Sequence, residues 1–399
     1  MFLSRLANST LKQPSDTLVE ALGGGEATAA GKAVTPDTAL RVASVYACVR
    51  VLSETLSALP LNLYRRVENG RSIASEHPLH NVLHSMPNAE MTAMDFRTQL
   101  LASILLQGNS LNEVYRTRGG AIGEIIPLPV DKMLIDRSKK TGKLIFELHD
   151  GEVRRIHPDK IWRVAGLGTN GLIGLSPIGL MRESIGIALA TEEHAARMFS
   201  NGAKPGGILE HPGKLSEDAG KSLVDSWNKA YQGPKNVNKV ALLQEGMKWH
   251  QIGMTAEDAQ FIESRKYQRT EIAAIFGVPP HMIADLEKAT FSNIEHQSIQ
   301  FVVYSLLPWM KRIEQSIYRD LLLPSERAEY YAEHNAEGLL RGDSKARSEF
   351  LKNLFNIGSV SINDVLRMEN MNTIGEAGDK HWLQMQMVPI DERNQEQNQ

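Results

Sequence analysis

"EIAAIFGVPPHMIADLEKATFSN", residues 271–293, reads as a helix that is stopped, a polar loop, and a second helix that is started. Gly277 can take the left-handed conformation that closes a helix, and Pro279 and Pro280 cannot continue one. Beyond the loop, Ser292 stands three residues before Glu295, the spacing of a capping box for a helix that begins near Asn293. Between the stop and the start lie Asp285, Glu287, Lys288, Thr290 and Ser292, with Ile283, Leu286 and Phe291 as the sizeable apolar groups after Met282. Taken alone, the stretch is either a plain surface connection or a loop held in place for use.

Long helices flank it. Residues 255–277 open on a Thr255 to Asp258 capping pattern and close at Gly277, and "SPIGLMRESIGIALATEEHAARMFSN" from Ser176 could run unbroken for roughly 39 Å at about 1.5 Å per residue. The small residues Gly186, Ala188, Ala190, Ala195 and Ala196 would let neighbouring helices approach closely. Residues 204–254 interrupt the pair with "GGILEH", an amphipathic helix around Leu223, Val224, Trp227 and Tyr231, and the strands "KVALLQ" and "KWHQI". After the loop, Val302, Leu306, Trp309, Ile313, Ile317 and Leu321 keep helical spacing with Pro308 in the interior, so a bend is expected there.

The N-terminal half has a different texture. Thr35 as N-cap, Pro36 at the first helical position, and Val42, Val45, Val49, Leu52 and Leu56 at spacings of three and four predict one core helix. "PLNLYRRVENGRSI" is a hairpin about Asn69 and Gly70, two helices follow at 78–85 and 92–107, and short alternating runs fill 111–165. "EYYAEH" is placed to rejoin the sheet, and two short helices joined through Gly358 end the pattern. The fold class is therefore α+β with an antiparallel sheet. Residues 1–34 and 386–399 are polar, without periodicity, and expected to be loose.

Composition narrows the function. The 399 residues carry 44 basic and 47 acidic side chains, a formal charge of −3, which leaves no global basic surface for tight nucleic-acid binding. The one cysteine, Cys48, lies in an apolar run and reads as a buried thiol, and no stretch approaches a membrane span or a secretion signal, so a cytosolic protein is expected.

Motifs that suggest chemistry mostly fail on inspection. "GLGTNG" at 166–171 has dinucleotide-loop spacing but is followed by a helix that runs on where a parallel strand and a ribose-binding acid are needed, so it reads as a hinge. "GEATAAGKA" at 25–33 has the wrong glycine spacing for a phosphate loop, and Ala33 stands where a hydroxyl is required. His77, His80 and His84 could share a helix edge and bind a metal ion, yet Pro78 makes His77 a boundary residue, and a solvated or capping role is expected. Asp343 in "RGD" reads as a helix cap. No cofactor, no metal and no catalytic constellation is indicated.

The order of these segments resembles the portal proteins of tailed double-stranded DNA bacteriophages, of the long-tailed siphophage type. The carriers are "SVYACVRVLSETLSALPLNLYRR", "HPLHNVLHSMPNAEMTAMDFRTQLLASILLQGNS", "GLIGLSPIGLMRESIGIALA", "ARMFSNGAKPGGILEHPGKLS", "MTAEDAQFIESRKYQRTEIAAIFGVPPHMI" and "LLPWMKRIEQSI". The resemblance implies a ring of about twelve copies at one capsid vertex, through which a separate terminase motor packages DNA that is later ejected. It also implies partners: the terminase large subunit, a head-tail adaptor, the major capsid and scaffold proteins, and duplex DNA passing without sequence specificity. The location implied is the virion, with assembly in the host cytoplasm.

On that plan residues 35–175 look like the wing, 176–203 and 255–278 like the stem, and 204–254 like the clip. Residues 279–293 look like the tunnel loop, 294–335 like a kinked helix returning to the wing, and 336–385 like the crown. Asp285, Glu287, Lys288, Thr290 and Ser292 would then belong to the channel loop, Trp227, Tyr231, Lys235 and Lys239 to a docking surface on the clip, and Pro308 to the kink. About twelve helices of about 10 Å diameter, side by side, would leave a bore of roughly 28 Å, wide enough for duplex DNA. The net acidic chain suits a conduit, since a basic lining would hold every phosphate. A non-channel helical scaffold or adaptor is the alternative, and an oxidoreductase built on "GLGTNG" is a remote third.

Overall fold

The computed structural model describes residues 27–68, 70–138, 140–200, 207–231, 243, 246–251, 256–285, 297–336, 344–369 and 371–382. Thr35 caps only a single turn, Pro36–Ala39, through a capping box with Thr38, and the chain then restarts at the extended residue Val42. The continuous core helix expected from Thr35 is therefore two pieces, of which α1 (Ala43–Ser57) carries the buried face Val45, Val49, Leu52 and Leu56.

The chain continues as the hairpin β1 (Leu61–Val67) and β2 (Gly70–Ile73), in which Val67 faces Gly70. Helix α2 (Pro78–His84) follows, with His77 as its N-cap: the ring Nδ1 accepts from the Leu79 amide at 3.1 Å. Helix α3 (Ala93–Gln107) opens on a Thr92–Asp95 capping box and closes at Gly108, whose φ of 80° is left-handed.

Gly108 leads into β3 (Asn109–Arg116), the centre of an antiparallel sheet with β4 (Ile122–Leu128) on one side and β8 (Ile161–Ala165) on the other. Strands β5 (Met133–Arg137), β6 (Leu144–Asp150) and β7 (Glu152–Ile156) form a second antiparallel sheet. A small core of Leu111, Leu128, Ile135, Phe146, Ile156 and Ile161 joins the two sheets. Buried Glu113 of β3 accepts two 2.8 Å bonds from the Arg154 guanidinium of β7, a paired fork that offsets the loss of water around the carboxylate.

Helix α4 (Arg182–Ser200) is shorter than its sequence suggests, because a turn at Pro177–Leu180 ends at Met181 (φ −103°, ψ 23°) before the helix begins. At Gly186 the close approach is made by residue 28 rather than by a helix: a Cβ there would come within 2.5 Å of the Thr28 side chain. Thr28 is buried, the Ala29 amide donates to Glu183 at 3.0 Å, and Lys32 pairs with Glu193, so residues 27–34 of the stretch expected to be loose pack along α4.

Strands β9 (Gly207–Glu210) and β10 (Lys248–Gln251) pair antiparallel, with α5 (Glu217–Tyr231) between them in sequence. Helix α6 (Ala256–Phe276) then returns along α4: His194 meets Phe261 edge-on at 5.6 Å, while Ala188 and Glu192 share a small cleft with Arg265 and Ile272. These pairings make α4 and α6 antiparallel, so the chain leaves one and enters the other at the same end.

After a π-helical stretch, Phe301–Leu306, helix α7 (Leu307–Asp320) runs into the core and leads to β11 (Tyr330–His334), which pairs with β1 on the edge opposite β2. The main core draws on α1, α3, the end of α6, α7 and β1. Trp162 of β8 binds it together: fully buried, it stacks on Phe96 at 5.7 Å and donates its indole N–H to Ser316 Oγ at 2.8 Å. Each such buried side chain contributes about 2 to 3 kcal/mol through apolar burial. Helices α8 (Ser344–Asn356) and α9 (Ile362–Met368) follow, and a 3₁₀ turn at Glu376–Asp379 packs back on α9 through Asn363.

Candidate functional site

Both ends of the stretch between α6 and α7 are fastened by specific hydrogen bonds. At the near end the Val278 amide donates to Ala273 O at 2.9 Å and Gly277, with φ 66°, donates to Ala274 O at 3.1 Å, the two-bond closure of a helix on a left-handed residue. Ser305, on the returning helix, donates its hydroxyl to the Gly277 carbonyl, so the cap of α6 is held by the element that follows the loop. A 3₁₀ turn, Pro280–Ile283, then carries the chain to Ala284, the non-glycine residue with positive φ (64°) among those described. An alanine held there costs about 1 kcal/mol, which the neighbouring packing must offset.

The far end closes on the near one. Nδ1 of His281 lies 2.7 Å from Oε1 of Gln297, an N–H donating to an amide oxygen across 16 residues. Met282 and Ile283 pack on the main core. The chain therefore departs at Asp285 and returns at Gln297 from one anchored base. Asp285 is the described member of the expected loop set; Glu287, Lys288, Thr290 and Ser292, and the Ser292 cap, lie outside the described residues.

Pro308 occupies the first turn of α7, directly after the π-helical residues 301–306. Proline offers no amide and its ring crowds the carbonyl four residues earlier, so a wider turn ahead of it relieves both problems. On this returning helix Ile299, Val303 and Leu307 are 50%, 45% and 41% exposed and Tyr304 is 75% exposed, an apolar stripe that the single chain leaves uncovered.

The expected docking residues divide. Trp227 is half-buried on α5 and has interactions of its own, Tyr231 is the last residue of that helix, and Lys235 and Lys239 lie outside the described residues. Cys48 is fully buried, and burial pushes its thiol up to about 12, so it stays protonated and unreactive. The glycine loop 166–171 follows β8, which runs antiparallel to β3, and the Gly166 amide donates to Gly108 O at 2.8 Å, so the parallel strand of a dinucleotide site is not what precedes it. Among the described residues no group of three His, Cys, Asp or Glu side chains is placed to hold a metal ion, and no helix is long and apolar enough to cross a membrane.

The sequence profile of the family described as "Phage portal protein" matches residues 43–370. The chain belongs to that family. It is 34% identical over 357 residues to the portal protein of Enterobacteria phage HK97, covering 88% of this chain and 83% of that one. It is 34% identical over 385 residues to the probable portal protein of Streptomyces phage phiC31, covering 92% and 83%. Among solved structures, a chain in the virion of a native gene transfer agent particle is similar in fold, with a TM-score of 0.64 at 20% identity over 93% of this chain and 98% of that chain. The family's fold and the α+β architecture with antiparallel sheets thus agree.

Three features of the site have little or no sequence signal: the His281–Gln297 bond, the Ser305–Gly277 bond and the π-helical turn. Pro308 hinted at irregularity but not at its form.

Proposed function

We propose that the chain assembles with copies of itself into a ring at one vertex of a phage capsid and serves as the conduit for duplex DNA, entering during packaging and leaving during ejection. The observation that carries this reading is the anchored base of the segment between Asp285 and Gln297, in a chain that belongs to the portal family over residues 43–370. A loop whose ends are fastened to the same point can project while its flanking helices stay packed. The exposed stripe Ile299, Val303, Tyr304 and Leu307 supports self-association, since a neighbouring copy would remove it from water.

In this reading residues 35–175 act as the wing, 176–203 and 255–278 as the stem, 204–254 as the clip, 279–293 as the tunnel loop, 294–335 as the helix returning to the wing, and 336–385 as the crown. The clip, with Trp227, Tyr231, Lys235 and Lys239, meets the terminase during packaging and the head-tail adaptor afterwards, while major capsid and scaffold proteins surround the wing. The role is structural, and the energy for DNA movement comes from the terminase.

Lys288, the one basic residue of "ADLEKATFSN", gives phosphates an evenly repeated, weak contact around the bore. Lys288→Glu should change folding stability by no more than about 0.5 kcal/mol and leave assembly normal. DNA packaging should slow, most clearly at low salt. Normal packaging and genome retention at every salt concentration would remove the contact with DNA, and failure to assemble would make the residue structural.

A further inference from the structure

Arg163, Arg312 and Arg319 converge on a cleft of about 400 Å³ whose wall is the glycine-bearing loop that follows β8. The three guanidinium groups are unequally held. Arg163 is buried and donates to the Leu172 carbonyl, and burial, then the nearby Arg319, push its pKa below the ordinary arginine value. Arg319 is bonded to Asp320 at 2.6 Å, and the Asp320 carboxylate also takes the Arg163 backbone amide at 3.0 Å. Arg312 has the weakest attachments, two 3.4 Å bonds to the carbonyls of Ala165 and Gly166 and a position 5.8 Å from the Trp309 ring.

Among the described residues no carboxylate lines this cleft, and Asp320 beside it compensates one of the three positive charges. Such an excess around a concave surface attracts an anion, and guanidinium groups match the paired oxygens of phosphate. Gly166 and Gly168 let the loop pack closely, since a Cβ on either would meet the Gly108 or Ile173 carbonyl, while Leu167 is exposed on the loop side of the cleft and the exposed Gln315 amide adds a neutral donor at its rim. The cleft is wide enough to admit a phosphate group, and the guanidinium groups rather than its size give it a preference for an anion.

We propose that this cleft binds a phosphate group, either as the free ion or as a backbone phosphate of nucleic acid. The glycine loop acts here as a wall beside the arginines of β8 and α7, not through a dinucleotide fold. The inference does not depend on ring formation or on the residues of the channel loop.

The test is titration calorimetry of the full chain with sodium phosphate against sodium chloride of equal ionic strength, alongside fluorescence anisotropy with a short labelled DNA duplex. Arg312→Gln and Gln315→Glu, each with an unchanged circular dichroism spectrum, are compared with the unaltered chain and with the surface control Arg155→Gln. Phosphate binding weakened about tenfold or more in both cleft variants and kept in the control supports the free ion. Duplex binding that alone shows this pattern assigns the cleft to nucleic-acid phosphates. Binding of both ligands that is absent in the unaltered chain, or unchanged in the cleft variants, overturns the proposal.

Discussion

His281 and Gln297 stand 2.7 Å apart, Nδ1 to Oε1, and join the outgoing and returning sides of the segment that follows α6. One hydrogen bond of this kind contributes about 1 kcal/mol to stability, and its larger effect is on position. His281→Ala should lower the unfolding free energy by about 1 kcal/mol, leave the oligomeric state intact, and reduce DNA packaging by more than a change on the outer surface of α4 does. Packaging equal to that of the unaltered protein, measured in the same particles, would show that the base of the loop does not set its work.

Pro308 and the π-helical residues before it make a second case. With Pro308→Ala the amide returns and the ring clash disappears, so residues 301–306 should relax toward ordinary α-helix. The stripe of Ile299, Val303 and Tyr304 would then rotate against the core, which α7 holds through Met310, Ile313 and Ile317. A structure of the variant with the wide turn unchanged would assign it to tertiary packing instead.

Arg97 is buried between two helix ends, donating to Ser57 O at 2.7 Å and Leu83 O at 3.3 Å. These carbonyls end α1 and α2, where orphan acceptors and the negative end of the helix dipole both favour a cation. Burial alone pulls its pKa down to about 10, still far above neutrality, so the guanidinium is charged in the folded protein. Arg97→Met should destabilise the protein by about 2 to 3 kcal/mol in urea denaturation, since two buried carbonyls lose their partner. A change below about 0.5 kcal/mol would mean that the apolar gain offsets those bonds.

The Glu314–His334 pair predicts a pH dependence. His334 is fully buried, its backbone amide and Nδ1 both lie 3.0 Å from Glu314 Oε1, and Lys311 Nζ lies 2.8 Å from Oε2. Arg97 and Lys311 are the cations whose charges face His334. Burial is the largest influence on both groups: it drives the His334 pKa below 6.5, whereas for Glu314 it is outweighed by bonds from His334 and Lys311, leaving that pKa below 4.5. In each window the unfolded chain binds the extra proton, so the stability is present above the unfolded pKa and is lost as pH falls through the folded one. Unfolding free energy should decline from about pH 7 downward through His334, then again below about pH 4.5 through Glu314. His334→Gln should remove the first decline, and an unchanged slope between pH 7 and 5.5 would place it on another group.

Much of the fold was legible because its signals are local. The Asn69–Gly70 hairpin, the Thr92 cap and the stop at Gly277 each depend on a few adjacent residues, and the structure has β1–β2, α3 and the end of α6 at those places. Breaks that depend on distant neighbours were not legible: nothing adjacent marks Met181 or Val42 as a helix boundary, and Gly186, read as a helix contact, meets Thr28 some 160 residues earlier in the chain. The site divides the same way. Helix stop and turn chemistry could be read in 271–285, whereas the partnership of His281 with Gln297 requires the three-dimensional return of the chain. The arginines of the cleft come from β8 and α7, separated by more than 140 residues, and the glycine loop beside them, read as a hinge, carries no sign of them.

In the proposed ring, copies of this chain close around an axial channel and the segment anchored by His281 and Gln297 is directed into it. Electron cryomicroscopy of the purified full chain tests this arrangement most directly. The expected image is a closed ring whose bore admits duplex DNA, with Asp285 and Gln297 at the channel wall and the stripe of Ile299, Val303 and Tyr304 covered by a neighbouring copy. A compact oligomer without an axial opening, or a ring that carries Asp285 and Gln297 on its outer surface, would contradict it.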